Sequence, residues 1–134
     1  MVALAGSLDA NVLLRLLLND LPNQHQSVIN LFQNASGQFA VSDIAIIETV
    51  FVLERNYNFS RSAIVETIQG LMTLVEINCN QPLFMKSLPI FVRNTGLSFE
   101  DCCMTVYADL NDAKPLWTFD KKLAKQVSSA ELIV

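Results

Sequence analysis

The sequence predicts a single α/β domain spanning residues 1–134, a parallel β-sheet flanked by helices on both faces. Three observations carry that expectation. The chain has 134 residues, the size of one ordinary domain, which buries roughly two thirds of the surface of the unfolded chain. Short apolar runs alternate with longer stretches of helical periodicity from one end to the other. No hairpin signal such as Asn-Gly joins successive apolar runs, so the strands must be connected through helices, as parallel pairing requires.

The elements follow in order. VALAGSL, residues 2–8, is short, apolar and rich in small residues, which suits a buried strand. From Ala10, ANVLLRLLLND is apolar almost all round, with Arg15 and Asn19 one turn apart; this helix ends near Asp20, because Pro22 opens the next. That second helix repeats Val28, Leu31, Phe32 and Ala35 at helical spacing and stops before Gly37. QFAVS is a second strand running into the apolar helix DIAIIETVFVLERN. Ser60 caps a further helix, FSRSAIVETIQGLMTL, and LVEIN is a third strand. QPLFMKSLPIFVRNTG is helical, with Pro89 expected to kink or divide it. SFEDCCMTVYADLNDA carries Phe99, Cys102, Cys103, Val106, Tyr107 and Leu110 on one apolar stripe. PLWTF is a fourth strand, DKKLAKQVSS a short helix and ELIV a last strand.

Composition narrows the function. With 51% hydrophobic and 16% charged residues the surface is sparsely charged, so part of the apolar excess is expected to cover a partner, most simply a second copy of the chain. No apolar stretch reaches the ~18 residues of a membrane span; Arg15 and Glu48 interrupt the longest candidates. The opening MVALAGSLDA lacks a basic secretion leader, and a cytoplasmic protein is the expectation. Cys79, Cys102 and Cys103 form no CxxC and read as buried thiols of a reducing compartment. His25, the only histidine, lies in a polar stretch and makes a poor general-base candidate. Catalysis would then rest on carboxylates, hydroxyls or metal. The net charge of −4 argues against a broad nucleic-acid-coating surface. Lys114, Lys121, Lys122 and Lys125 are the one cationic cluster, either a solvated helix face or a phosphate contact.

Four acids stand out by position. In open α/β sheets ligands collect beyond the carboxyl ends of the strands. Asp9 follows the first strand and Asp120 the fourth, although either could serve only as a helix N-cap. Glu48 has Ile44, Ala45, Phe51 and Val52 as its helical neighbours, a costly place for a carboxylate unless a cation pairs with it or that face is exposed. Asp101 sits three residues after Ser98, the spacing of a capping box, and that role is compatible with a functional one. Two such charges ~4 Å apart repel by about 4 kcal/mol at an effective dielectric near 20, so a cluster of them shares protons or binds a cation. Oxygen donors without His or Cys select a hard ion, Mg²⁺ or Mn²⁺, which lowers the pKa of bound water and neutralises a transferring phosphoryl group.

Four blocks, LDANVLLRLLLND, VSDIAIIETVFVLER, LSFEDCCMTVYA and LWTFDKKLAK, resemble in order and interval the PIN-domain family, in particular its small VapC-type toxin ribonucleases. The resemblance covers essentially the whole chain. It implies that Asp9, Glu48, Asp101 and Asp120 are the catalytic, metal-binding quartet, with Asp9 and Asp101 as the first direct ligands. Glu48 and Asp120 would ligate a second ion, hold ordered waters or orient the attacking one. Asn11 and Thr118 fit supporting positions. Arg15 fits a phosphate or partner contact or an ordinary surface arginine, and Lys121 a substrate contact. The implied activity is endonucleolytic RNA cleavage with Mg²⁺ or Mn²⁺, leaving a 5′-phosphate and a 3′-hydroxyl. The implied partners are an RNA substrate, a cognate antitoxin and a second copy in a homodimer.

Two other classes compete. A catalytically silent PIN-like module binding RNA or protein is the non-enzymatic alternative, although such members usually lose acids and this chain keeps four. Phosphoryl transfer through an aspartyl phosphate would need a second Asp two residues after Asp9, where the chain has Asn11.

Overall fold

The computed structural model describes residues 3–134; Val2, the first residue of the expected opening strand, and Met1 lie outside the described residues. The chain divides into two compact units, Met1–Asn80 and Gln81–Val134. The first contains β1 (Leu4–Leu8), α1 (Ala10–Leu17), α2 (Pro22–Gln33), β2 (Gln38–Val41), α3 (Asp43–Arg55), α4 (Arg61–Met72) and β3 (Ile77–Asn78). The second contains α5 (Gln81–Arg93), α6 (Phe99–Leu110), β4 (Leu116–Thr118), α7 (Lys121–Gln126) and β5 (Ala130–Leu132). All three strand pairs, β1–β2, β2–β3 and β4–β5, are parallel, as the alternation of elements predicts.

In the first unit the sheet runs β1–β2–β3 with helices flanking it. Each helix start is written in the sequence. Asp9, Ser42 and Ser60 stand in extended backbone and accept hydrogen bonds from Val12, Ala45 and Ala63 respectively, while Pro22 occupies the first turn of α2. α1 packs on α2 and α3, and α3 on α4. Leu13, Ile46, Leu53, Ile64, Ile68 and Leu71 form the fully buried core, and Phe32 stacks on Phe39 with ring centroids 5.1 Å apart.

The strand expected to be buried is not. β1 is an edge of its sheet, and Leu4 to Ser7 are exposed, leaving only Leu8 buried. Third-strand pairing is confined to Ile77–Asn78, with Leu74 and Val75 exposed before it.

In the second unit α5 and α6 pack through Phe84, Phe91 and Phe99. The Phe84 and Phe99 rings stack at 6.1 Å and Phe91 meets Phe99 edge-on at 5.3 Å. Pro89 does not divide α5, which is continuous from Gln81 to Arg93. The carbonyl left without its helical donor is that of Met85, a residue on the exposed side, where water can satisfy it. On α6, Phe99, Cys102, Cys103 and Val106 are buried as expected, but Tyr107 and Leu110 turn outward. Trp117, the only tryptophan of the chain, stands exposed on β4. Among the described residues no helix is long and apolar enough to cross a membrane.

Candidate active site

Beyond the carboxyl ends of β1, β2 and β3 the first unit opens into a crevice of about 830 Å³. A parallel sheet places a strand-to-helix seam at the end of each strand, and each seam contributes polar side chains here. Asp9 comes from the β1–α1 seam, Ser42 and Asp43 from the β2–α3 seam, and Asn78 and Asn80 from the end of β3. Glu48 enters from the second turn of α3. The structure therefore brings Asp9 and Glu48, 39 positions apart in the chain, into one cavity.

Asp9 is both cap and wall. Its Oδ1 accepts from the Val12 amide at 2.9 Å, which leaves Oδ2 available to a ligand. Glu48 is exposed and, among the described residues, makes neither a hydrogen bond nor an ion pair. Of the two ways left open for a carboxylate at this position, a pairing cation or an exposed face, the structure shows the exposed face. α3 buries the face carrying Ala45, Ile46, Thr49, Val50 and Leu53, while Ile44 and Phe51 beside Glu48 are 76% and 48% exposed. Phe51 is instead covered by the Arg55 guanidinium, 5.3 Å from its ring centre.

The crevice also holds Cys79. Contrary to the expectation of three buried thiols, it is half-buried, and Cys102 and Cys103 alone are buried. Burial, with the Asp43 carboxylate adding to it, pushes the Cys79 thiol up. Around it Asp9, Ser42, Asp43, Glu48, Asn78 and Asn80 offer a majority of oxygen donors. Those oxygens fit Mg²⁺ or Mn²⁺. Among the described residues no group of three or more His, Cys, Asp or Glu side chains stands close enough to hold a metal ion by itself.

The other candidates lie in the second unit. Asp101 forms the predicted capping box of α6: its amide donates to Ser98 Oγ at 3.1 Å, and its Oδ2 accepts from the Ser98 amide at 3.3 Å. Asp120 caps α7, its Oδ1 accepting from the amides of Lys122 at 2.9 Å and Leu123 at 3.2 Å. The Thr118 hydroxyl accepts from the Asp120 amide at 2.9 Å and so holds that cap in place. Lys121, Lys122 and Lys125 are exposed on α7, whereas Lys114 pairs with Asp109 at 3.2 Å.

A second groove of about 300 Å³ shares Asp9 with the crevice and is lined by Asn11, Arg15, Gln24 and Ser27. Arg15 is no surface arginine, its side chain being 14% exposed. It donates to Tyr57 Oη at 3.2 Å and stands 3.6 Å from Asp20, while Tyr57 donates to Asp20 at 2.6 Å. The Tyr57 hydrogen bond, with the Arg15 charge, holds the Asp20 carboxyl below its usual range. His25 donates from Nδ1 to the Arg15 carbonyl at 2.7 Å, which fixes its tautomer in a structural role.

Sequence reasoning missed Asp43, Asn78 and Asn80. Asp43 carried a usable signal, because it follows β2 as Asp9 follows β1. The asparagines of β3 carried none.

A crevice of carboxylates and amides at the ends of parallel strands marks an α/β protein that handles a ligand at its strand-to-helix seams. The family model of the PIN domain matches residues 7–127, and the chain belongs to the PIN-domain family. No curated protein matches the chain. PIN domains are typically nucleases that use Mg²⁺ or Mn²⁺.

Proposed function

We propose that the chain is a divalent-metal-dependent endoribonuclease, the toxin component of a VapBC-type toxin–antitoxin pair. The observation that carries this reading is the pairing of Asp9 and Glu48 in one crevice beyond the strand ends, each with an oxygen uncommitted to the fold. These two side chains would hold the ion, which when bound neutralises charge on the phosphate and lowers the pKa of a water. Asp9 is fixed for that task by its cap to Val12, and its backbone carbonyl receives the Leu13 amide at 3.2 Å. Glu48 rides on a helix whose opposite face is fully packed, so its backbone is rigid while its carboxylate is free to orient a proton acceptor. Asp101 and Asp120 are assigned to the same chemistry by the family resemblance. Asn11 and Thr118 support it, and Arg15 and Lys121 are the substrate contacts.

The test is cleavage of RNA by the purified protein. Cutting should require Mg²⁺ or Mn²⁺, stop with chelator, and be lost in Asp9→Asn and Glu48→Gln variants that remain folded. RNA binding without cutting under every divalent ion would replace this reading with the silent module. The antitoxin and the homodimer are tested by growth arrest relieved on co-expression of the neighbouring reading frame, and by the solution mass.

A further inference from the structure

The crevice is far larger than one ion needs, and its β2–β3 side has a chemistry of its own. Asp43, the first residue of α3, receives a hydrogen bond from Asn80 Nδ2 at 3.3 Å on its Oδ2. That bond orients the carboxylate, and among the described residues no donor occupies Oδ1. Beside it Ile44 also lines the crevice and is 76% exposed, a large apolar side chain that neither a core contact nor a cation covers. An exposed apolar side chain next to an oriented pair of acceptor oxygens suits a ring whose face is apolar and whose edge presents N–H groups.

We infer that Asp43 and Ile44 form a base-binding subsite for guanine, on the side of the crevice away from Asp9. The inference rests on the proposed RNA cleavage and names the nucleotide read beside the cut. Among the four bases, guanine alone offers two adjacent donors on one edge, N1–H and the N2 amino group, to match the two oxygens of a carboxylate. Adenine and cytosine each present one amino donor next to an acceptor nitrogen that a carboxylate repels, and uracil presents one N–H between two carbonyls. Ile44 supplies the apolar contact for the face of the ring, and Asn80 is a positioning residue that holds Asp43. An Asp43 carboxylate confronted with an acceptor edge is left unpaired, which is how a hydrogen-bonding site rejects the wrong ligand.

Neutral nucleosides test this without metal and without phosphate repulsion from the acids. Titration of the folded protein with guanosine, followed by backbone amide NMR shifts, should perturb residues 43, 44 and 80. Inosine, which lacks the N2 amino group, should bind about tenfold more weakly, and adenosine more weakly still. Asp43→Asn, which puts a donor where an acceptor is needed, should remove the preference for guanosine over adenosine. Asn80→Ala should reduce it while leaving inosine and guanosine in the same order. In the cleavage assay on a randomised RNA, Asp43→Asn should flatten a guanine preference at one position next to the cut. Equal shifts for guanosine and adenosine, shifts elsewhere, no shift, or a preference that survives Asp43→Asn would overturn the subsite. Failure to cut RNA would sink the nuclease reading while the nucleoside titration still decides this one.

Discussion

Tyr57 donates its phenolic hydrogen to Asp20 across 2.6 Å while the same oxygen accepts from Arg15, so one hydroxyl joins the end of α1 to the loop after α3. The depressed Asp20 carboxyl sets the sign of a pH effect. A group whose folded pKa lies below its unfolded value stabilises the fold above the unfolded value, here 3.8, and that stabilisation is lost as pH falls through the folded one. Tyr57→Phe should therefore destabilise the protein at pH 7 and progressively less below pH 3.8, with the Asp20 titration moving upward. Denaturant midpoints at the two pH values and carboxyl NMR check it. A penalty independent of pH would contradict the linkage.

Loss of either crevice acid should be seen first in metal binding. An ion that binds only the folded chain stabilises it by about 2.7 kcal/mol at a hundred times its dissociation constant. The melting temperature should rise with Mn²⁺ in the parent and be flat in Asp9→Asn and Glu48→Gln, and RNA cleavage should fall ~10²–10⁴-fold in each.

Asp101 carries two roles that can be separated. Ser98→Ala removes the partner hydroxyl of the capping box and should cost about 1 kcal/mol of stability, with cleavage retained once the protein is folded. Asp101→Asn keeps an acceptor for the cap but loses the charge, and should abolish cutting with little loss of fold. If the two variants behave alike, Asp101 is a cap alone. Asp120→Asn, at the N-cap of α7, should follow Asp101→Asn.

Cys79 should be slow to alkylate at neutral pH, since burial and Asp43 keep its thiol protonated. Asp43→Asn removes the second of those causes and should speed the reaction. Cys102 and Cys103 should react only on unfolding. Peptide mapping after iodoacetamide treatment distinguishes the three.

Much of the fold was legible because its signals are local. Ser60, Ser98 and Asp9 announce helix starts by side-chain chemistry that acts over three residues, and each does so in the structure, while Ser42, read as the end of a strand, caps α3 in the same way. Asp9 was legible as a site residue for the same reason, lying on a seam. Glu48 was singled out with its burial left open. α3 is apolar on several sides, so spacing alone could not tell which side meets the core, and the carboxylate proved to be exposed. Arg15 was illegible because its partner Tyr57 is 42 positions away, a contact only the fold creates. Asp43 and Asn80 escaped likewise, their bond spanning 37 positions from the β2–α3 seam to the end of β3.

The lone indole also fixes what an optical experiment can see. Trp117 lies on β4, in the second compact unit, and the first unit has no tryptophan of its own. Emission recorded during a denaturant titration consequently follows residues 81–134 alone. Superposition of that curve on one from far-ultraviolet circular dichroism, which weighs every helix, would establish that both halves unfold as one cooperative body, and a gap between the two would expose an intermediate.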